Sequence, residues 1–295
     1  MTGSGRHIDR VAYIGTPAVA VEPLIKLIEA GYDIPLVVTG PDKRRGRGSS
    51  TSPSAVKREA ERLGLNVSSD IDDLVSIDVD LAIVVAFGQL IPKHVLDHVQ
   101  MINIHFSLLP RWRGAAPLER AILAGDRKTG VCIMELEETL DTGGIYRSVE
   151  IPIEPTQTLE ELRVKSVSEG SALLLRSLKE GLGSPSPQVG EPSYAHKISS
   201  SELEINWGLS SEEILRLVRL GRAWTTVSES RLRVHSAKIG SLTNLEVGQR
   251  KGFSVGSLDG TIELLEVQPE GRKKMSAEDW INGLSEKTTG YLGNG

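Results

Sequence analysis

Apolar residues recur along the first half of the chain in two alternating patterns. Residues 10–14 (RVAYI) form a short apolar run that stops at Gly15, which predicts a strand. Leu24, Ile25, Leu27 and Ile28 then repeat at helical spacing, and Gly31 supplies the stop. Residues 34–39 predict a second strand, and 55–63 a charged helix ended by Gly64. Residues 81–86 (LAIVVA) are apolar without a break, as in a strand covered on both faces of a parallel sheet. Residues 101–105 predict another strand, 117–124 a helix and 131–136 a further strand. Strands and helices in such alternation predict an open, mostly parallel α/β sheet.

Thr158 and Glu161 have the spacing of a capping box and open a helix that runs through Leu173, Leu174 and Leu178 to Gly181. Residues 181–193 (GLGSPSPQVGEPS) have the composition of a linker. Beyond them the pattern changes. Ser210 and Glu213 fit a second capping box, followed by Ile214, Leu215, Leu217 and Val218. After Trp224, short alternating stretches at 232–235, 253–255 and 261–267 are separated by Gly-rich turns, which predicts a small antiparallel barrel. The domain expectation is 1–188 for the α/β domain, 189–206 for the linker and 207–295 for the barrel.

Of the 295 residues, 39% are hydrophobic and 25% charged, enough to bury a core in each of two domains. The net charge of −5 means that a nucleic-acid surface, if there is one, is local. The single cysteine, Cys132, excludes a disulfide framework and lies in an apolar stretch as inert core. No apolar run approaches the ~20 residues of a membrane span, and the N-terminus lacks an apolar leader, so the expected location is the cytoplasm. His94, His98, His196 and His235 show no metal-ligand pattern, so no metal is expected. Gly15 is not part of a dinucleotide-binding glycine motif.

Residues 103–144 are the chemically richest segment. Asn103 and His105 are two apart on a predicted strand and point to one face, at the strand end where open α/β sheets place ligands. Asp141 follows in a loop with Thr142, Gly143 and Gly144. Such a trio suits acyl transfer to a neutral amine. An amide and an imidazolium stabilise the negative charge that grows on a carbonyl oxygen, and a carboxylate takes up the proton that the amine loses.

The string N-x-H-x-S-L-L-P (from Asn103) and the later L-D-T-G (from Leu140) resemble the signature of folate-dependent formyltransferases. RWRGAAP, residues 111–117, resembles the branch of that family acting on methionyl-tRNA. Further blocks in family order are YIGTP (13–17), GRGSSTSPSAVK (46–57), VVAFGQLIP (84–92), YAHKIS (194–199), INW (205–207) and EGRKKMSAEDWINGL (270–284). The resemblance implies a Rossmann-like catalytic domain followed by a barrel resembling the oligonucleotide-binding (OB) fold. It implies 10-formyltetrahydrofolate as formyl donor, initiator methionyl-tRNA as acceptor and a monomer in the cytoplasm. It makes Asn103, His105 and Asp141 the catalytic trio. Ser107, Leu108, Leu109 and Pro110 would lie along the folate, with Phe87, Gly88, Leu90, Ile91 and Pro92 near its pteridine. Three departures stand out: Phe106 where a small residue or proline is usual, Asn206 in place of an aspartate before Trp207, and GRAWTT after Leu220.

Charge marks the expected tRNA side. DKRRGR, residues 42–47, is a polar loop whose Lys43, Arg44, Arg45 and Arg47 suit phosphates, and the family uses this insertion on the acceptor arm. The barrel adds Arg231, Arg233, Lys238, Arg250 and Lys251, then Arg272, Lys273 and Lys274. Three rivals stay open: a formyltransferase acting on an amino sugar or a glycinamide ribonucleotide, a formyl-folate hydrolase, and a non-catalytic RNA-binding protein on the same scaffold.

Overall fold

The structure is a computed structural model that describes residues 8–44, 51–241, 244–284 and 289–293. The chain divides into two compact units. The first comprises Met1–Pro117, Lys128–Pro152 and Arg163–His196, and the second Leu118–Arg127, Ile153–Leu162 and Lys197–Gly295.

In the first unit the strands are β1 (Val11–Gly15), β2 (Val37–Val38), β3 (Lys43–Arg44), β4 (Thr51–Ser52), β5 (Val67–Ser68), β6 (Leu81–Val85), β7 (Met101–His105), β8 (Arg113–Gly114), β9 (Lys128–Glu135), β10 (Ile145–Pro152) and β11 (Tyr194–Ala195). Its helices are α1 (Val21–Glu29), α2 (Ala55–Arg62), α3 (Lys93–Leu96), the first residue of α4 (Pro117–Ala124) and most of α5 (Leu159–Glu180). Seven strands form one sheet in the order β10-β9-β7-β6-β1-β2-β5. The five from β5 to β7 are parallel, β9 runs antiparallel to them, and the edge strand β10, antiparallel to β9, returns to their direction. The order reverses between β1 and β6, so this is the Rossmann-like, doubly wound arrangement, with its switch point at the carboxyl ends of those two strands.

Every residue of β1, β6 and β7 is buried, as their unbroken apolar runs require. β10 escapes the sequence pattern because it is an edge strand, with only Ile151 of its IYRSVEIP fully covered. The helices start where the caps indicate. Ser54 Oγ accepts from Lys57 N at 2.9 Å ahead of α2. Before α5, Thr158 N donates to Glu161 Oε2 at 2.8 Å, and Glu161 N to Thr158 Oγ1 at 3.3 Å.

The second unit holds β12 (Trp224–Val227), β13 (Ser230–Ile239), β14 (Gln249–Lys251), β15 (Ser254–Gly256), β16 (Thr261–Pro269), β17 (Met275–Ser276) and β18 (Thr289–Tyr291), with α6 (Ser211–Val218) and α7 (Ala277–Asn282). The antiparallel order β12-β13-β16-β15-β14-β18 nearly closes on itself, since Gly293 N, just past β18, donates to Thr226 O on β12 at 3.0 Å. This is the expected small barrel. α6 starts at the Ser210–Glu213 capping box. α7 starts at Ser276, whose Oγ accepts from Asp279 N at 3.0 Å; the Ser-x-x-Asp spacing is a signal present in the sequence.

Two departures find their explanations here. Asn206 Oδ1 accepts from Gly208 N at 2.9 Å, a turn that an aspartate makes equally well. Trp224 lies on β12, its Nε1 donating to Ser200 O at 3.1 Å, so GRAWTT enters the barrel directly. One expectation fails. Arg250, read as a surface cation, is only 3% exposed, its guanidinium 5.8 Å from the centre of the Trp280 ring and donating to Gly252 O at 2.9 Å. β14 alternates, and Arg250 falls on its inward face.

Candidate active site

Asn103 and His105 occupy one face of β7 near its carboxyl end. In register beside them are Val84 on β6 and Met134 and Cys132 on β9. This face carries two apolar clusters. One gathers Ala82, Val84, Phe87 and Met101, with Ile91 and Leu136 packed against it. The other joins Leu109, Cys132 and Met134 with Ile145. The polar pair therefore lies on a sheet face with apolar packing to either side.

His105 is 5% exposed, Asn103 9% and Asp141 8%. His105 Nε2 lies 2.9 Å from the carbonyl oxygen of Trp112, which can only accept, so Nε2 carries a proton and donates it. The opposite nitrogen, Nδ1, faces Asp141 Oδ2 at 3.6 Å. Oδ2 also accepts from Gly114 N at 2.7 Å, so the carboxylate is held from β8. Among the described residues nothing pairs with the Asn103 amide. Buried amides ordinarily find partners, and the hydrogen-bonding capacity of this one is unspent within the described residues.

The loops that deliver these groups are tightly constrained. Asp141 and Trp112 both have left-handed backbones, with φ of 52° and 63°. Non-glycine residues hold that conformation only where their surroundings over-determine it, and such residues gather at functional sites. A Cβ on Gly143 would collide with the Glu135 carbonyl at the end of β9, so only glycine lets the Asp141 loop pass so close. Ser107 Oγ donates to Arg111 O at 2.6 Å and Arg111 N to Leu108 O at 3.1 Å, which folds residues 107–111 back on themselves.

The sequence-predicted positions separate into three groups. Asn103, His105 and Asp141 come together. Of the folate candidates, Ser107 and Leu109 are buried, and Leu108 and Pro110 are half-buried. Phe87 is buried and packs into the apolar cluster with Ile91, Gly88 takes a φ of 76°, Pro92 immediately precedes α3 and Leu90 is 83% exposed. Among the basic candidates, Lys43 and Arg44 form β3 and pair with β4, while Arg45 and Arg47 lie outside the described residues. Arg272, Lys273 and Lys274 belong to the second unit and are exposed; Lys274 Nζ pairs with Glu266 at 2.6 Å. Phe106 is turned away from the trio. With Ile104 it packs on the other sheet face around Gly170 of α5, where a Cβ would lie 3.3 Å from Ile104 and 3.7 Å from the Phe106 ring. The bulky ring therefore leaves the Asn103 face untouched.

Sequence reasoning missed the part played by residues 185–195. Read from composition as connector, they run back along the site. Ser186 exchanges backbone hydrogen bonds with Ile145, Ser193 Oγ accepts from Trp112 N at 2.9 Å, and β11 pairs with β8. Gln188 reaches the Asp141 loop directly. The burial of Cys132 pushes its thiol up to about 11, against a weaker downward pull from a backbone hydrogen bond at Leu109. Among the described residues no cluster of His, Cys, Asp and Glu is arranged to hold a metal ion, and no helix is long and apolar enough to cross a membrane.

An amide, an imidazole and a carboxylate gathered at a strand end of a Rossmann-like sheet are groups of the kind that acyl transfer employs. Residues 9–178 match the family model described as formyl transferase, and residues 197–285 that of the formyl transferase C-terminal domain. The chain belongs to the formyl transferase family. It is 38% identical to a methionyl-tRNA formyltransferase of Corynebacterium aurimucosum, over 95% of this chain and 96% of that one. Its fold is shared with HypX from Aquifex aeolicus, solved in complex with tetrahydrofolic acid, at a TM-score of 0.66 and 17% identity. That match covers 93% of this chain and 47% of HypX, so the chain spans about half of that larger protein. A sugar 3N-formyl transferase, WlaRD, solved in the presence of dTDP and 5-N-formyl-THF, matches at a TM-score of 0.66 and 18% identity, over 90% of this chain and 100% of that one.

Proposed function

We propose that this chain transfers the formyl group of 10-formyltetrahydrofolate to the amino group of methionine on initiator methionyl-tRNA, and that Asn103, His105 and Asp141 carry out the transfer. The observation that carries the chemistry is the buried cluster itself: an unpaired amide beside an imidazole whose Nδ1 faces a carboxylate at 3.6 Å. The acceptor is inferred from the relatives, which are named as methionyl-tRNA formyltransferases over nearly their full length.

The amine nitrogen attacks the formyl carbon and forms the new C–N bond. Negative charge moves to the formyl oxygen, where the Asn103 amide and the His105 ring are proposed to stabilise it. The attacking nitrogen becomes cationic, and Asp141, directly or through His105 or a water, accepts its proton. Collapse breaks the bond from carbon to N10 of the folate, and N10 leaves with a proton delivered by the same groups. Ser107, Leu108, Leu109 and Pro110 are proposed to lie along the folate, with Phe87, Gly88, Leu90, Ile91 and Pro92 toward its pteridine.

The tRNA reading assigns Lys43, Arg44, Arg45 and Arg47 to the acceptor arm, and Arg272, Lys273 and Lys274 to the phosphates beyond it. It also assigns catalysis to residues 1–188 and tRNA binding to 207–295, joined by 189–206. The protein is proposed to act in the cytoplasm, as a monomer.

The test is transfer of labelled formyl from 10-formyltetrahydrofolate to charged initiator tRNA, with uncharged tRNA, free methionine and charged elongator tRNA in parallel. Transfer confined to the charged initiator supports the reading. Formate release without an amine, or formylation of a small amine alone, overturns the acceptor while leaving the acyl-transfer site in place.

A further inference from the structure

Gln188 lies in the Gly-, Ser- and Pro-rich stretch after α5, where Pro187 and Val189 on either side of it are exposed. Gln188 itself is tucked in, and all its side-chain hydrogen-bonding groups are engaged in unit one. Its Nε2 donates to Asp141 O at 2.8 Å and to Gly143 O at 2.9 Å. Its Oε1 accepts from Arg113 Nη2 at 2.6 Å and from Arg113 Nε at 3.1 Å. The next residue, Gly114, supplies the N–H that holds the Asp141 carboxylate at 2.7 Å. One amide thus ties the backbone on both sides of Thr142 to the segment that grips the carboxylate. Asp141 needs such restraint, because its backbone is left-handed and its loop passes directly over the Glu135 carbonyl.

We infer that Gln188 is a positioning residue: it closes a clamp of Arg113, Gly114 and Gln188 around the 141–143 loop and sets where the Asp141 carboxylate stands relative to His105 Nδ1. The inference rests on the proposed acyl-transfer role of Asp141. A side chain with no volume change but no donors would leave the fold intact and let the loop drift. A drift of about 1 Å at a catalytic group is enough to lower turnover by about a hundredfold. The hydrogen-bonding groups of Gln188 are all taken up within the protein, so the loss is expected in kcat rather than KM.

Two measurements on the full chain test this. In single-turnover and steady-state formylation, Gln188→Met lowers kcat by about tenfold to a hundredfold with KM for folate and for tRNA within about threefold. In an Asp141→Asn background the same substitution changes the residual rate by less than about twofold, because both act through one carboxylate. A Gln188→Met protein with unaltered kcat, or a loss that multiplies with Asp141→Asn, overturns the inference. The second measurement is amide hydrogen exchange, which needs no substrate. Gln188→Met speeds exchange across 141–144 by about tenfold or more and leaves the central strand β6 unchanged. Unchanged exchange in the loop overturns the clamp, whatever the acceptor proves to be. If the wild-type protein formylates no tRNA, the proposed function fails, and the exchange data still decide the clamp. Gln188→Glu, which keeps the volume and the Arg113 pairing but loses both donors, gives the same readings if the Met variant does not fold.

Discussion

The buried trio of the first unit and the exposed cations of the second are built to opposite standards. His105 is held through Trp112 O at 2.9 Å, and Asp141 through Gly114 N at 2.7 Å and, along its backbone, through Gln188. Arg272 and Lys273 lie on the surface, and Lys274 is paired only to Glu266, itself on the surface. On the proposed function, the difference follows the task. Charge developing on one oxygen rewards donors fixed in advance to within a fraction of an ångström. A phosphate backbone is neutralised by mobile cations at many geometries, and rigidity there adds little. Substitutions in the first region should therefore alter rates, and those in the second should alter affinity and its response to salt.

The sharpest test of the contrast is His105→Ala or Asp141→Asn. Each should lower kcat by about 10²–10⁴-fold, with the tRNA dissociation constant within about threefold of normal. Stopped formylation assays and filter binding read the two quantities separately; a large loss of affinity would erase the distinction. Next comes salt. If about four phosphates are engaged, raising salt from about 50 to about 200 mM should weaken tRNA binding about a hundredfold, and each of Arg272→Gln and Lys273→Gln should flatten the log–log slope by about 1. Salt-independent affinity would break the electrostatic half of the comparison.

Smaller effects probe the packing around each region. Gly143→Ala brings a methyl group against the Glu135 carbonyl and should destabilise the fold by about 1–3 kcal/mol, read by chemical denaturation, with a parallel fall in kcat. In the second unit, Arg120 and then the Ser199 backbone hold the Glu202 carboxyl down at about 2, below its usual 4.5. The unfolded chain takes up this proton first, so the contribution is complete above pH ~4.5 and fades as the pH falls toward 2. Glu202 is exposed and Arg120 partly so, and Arg120→Gln should cost less than about 1 kcal/mol at neutral pH, and nothing well below pH 2. A larger loss would mean that surface pairs here are as tightly constrained as the buried trio. The smallest expected signal is at Cys132. With its thiol pushed to about 11, it should resist alkylation at pH 8 in the folded protein and react on unfolding.

Much of the fold was legible without coordinates. β1, β6 and β7 follow from unbroken apolar runs, α2 from a charged stretch ended by Gly64, α5 and α6 from their capping boxes, and the barrel from short strands between glycines. The spacing of Asn103 and His105 already placed both on one face. The polar edge strand β10 and the short β5 were not legible, because neither has enough covered positions to set a period. Arg250 was misread for a related reason. A single cation in a three-residue strand carries no sign of which face it takes, and only the closing of the barrel turned it inward.

By itself, then, the sequence determined the elements whose signals lie within a few residues: caps, apolar runs, and the same-face pairing of an amide and an imidazole on one strand. It also carried, through ordered blocks along the chain, the family to which the protein belongs. Tertiary structure alone decided what depends on distant partners. Asp141 meets His105 across 36 residues at 3.6 Å, and Gln188 bonds Asp141 across 47 residues. No local pattern announces such contacts. They arise when β9 and β10 turn the Asp141 loop back to the end of β7, and the strap at 185–195 closes over it. The physical reason is that hydrogen bonds act over about 3 Å in space and not along the chain, so only the folded backbone can choose their partners.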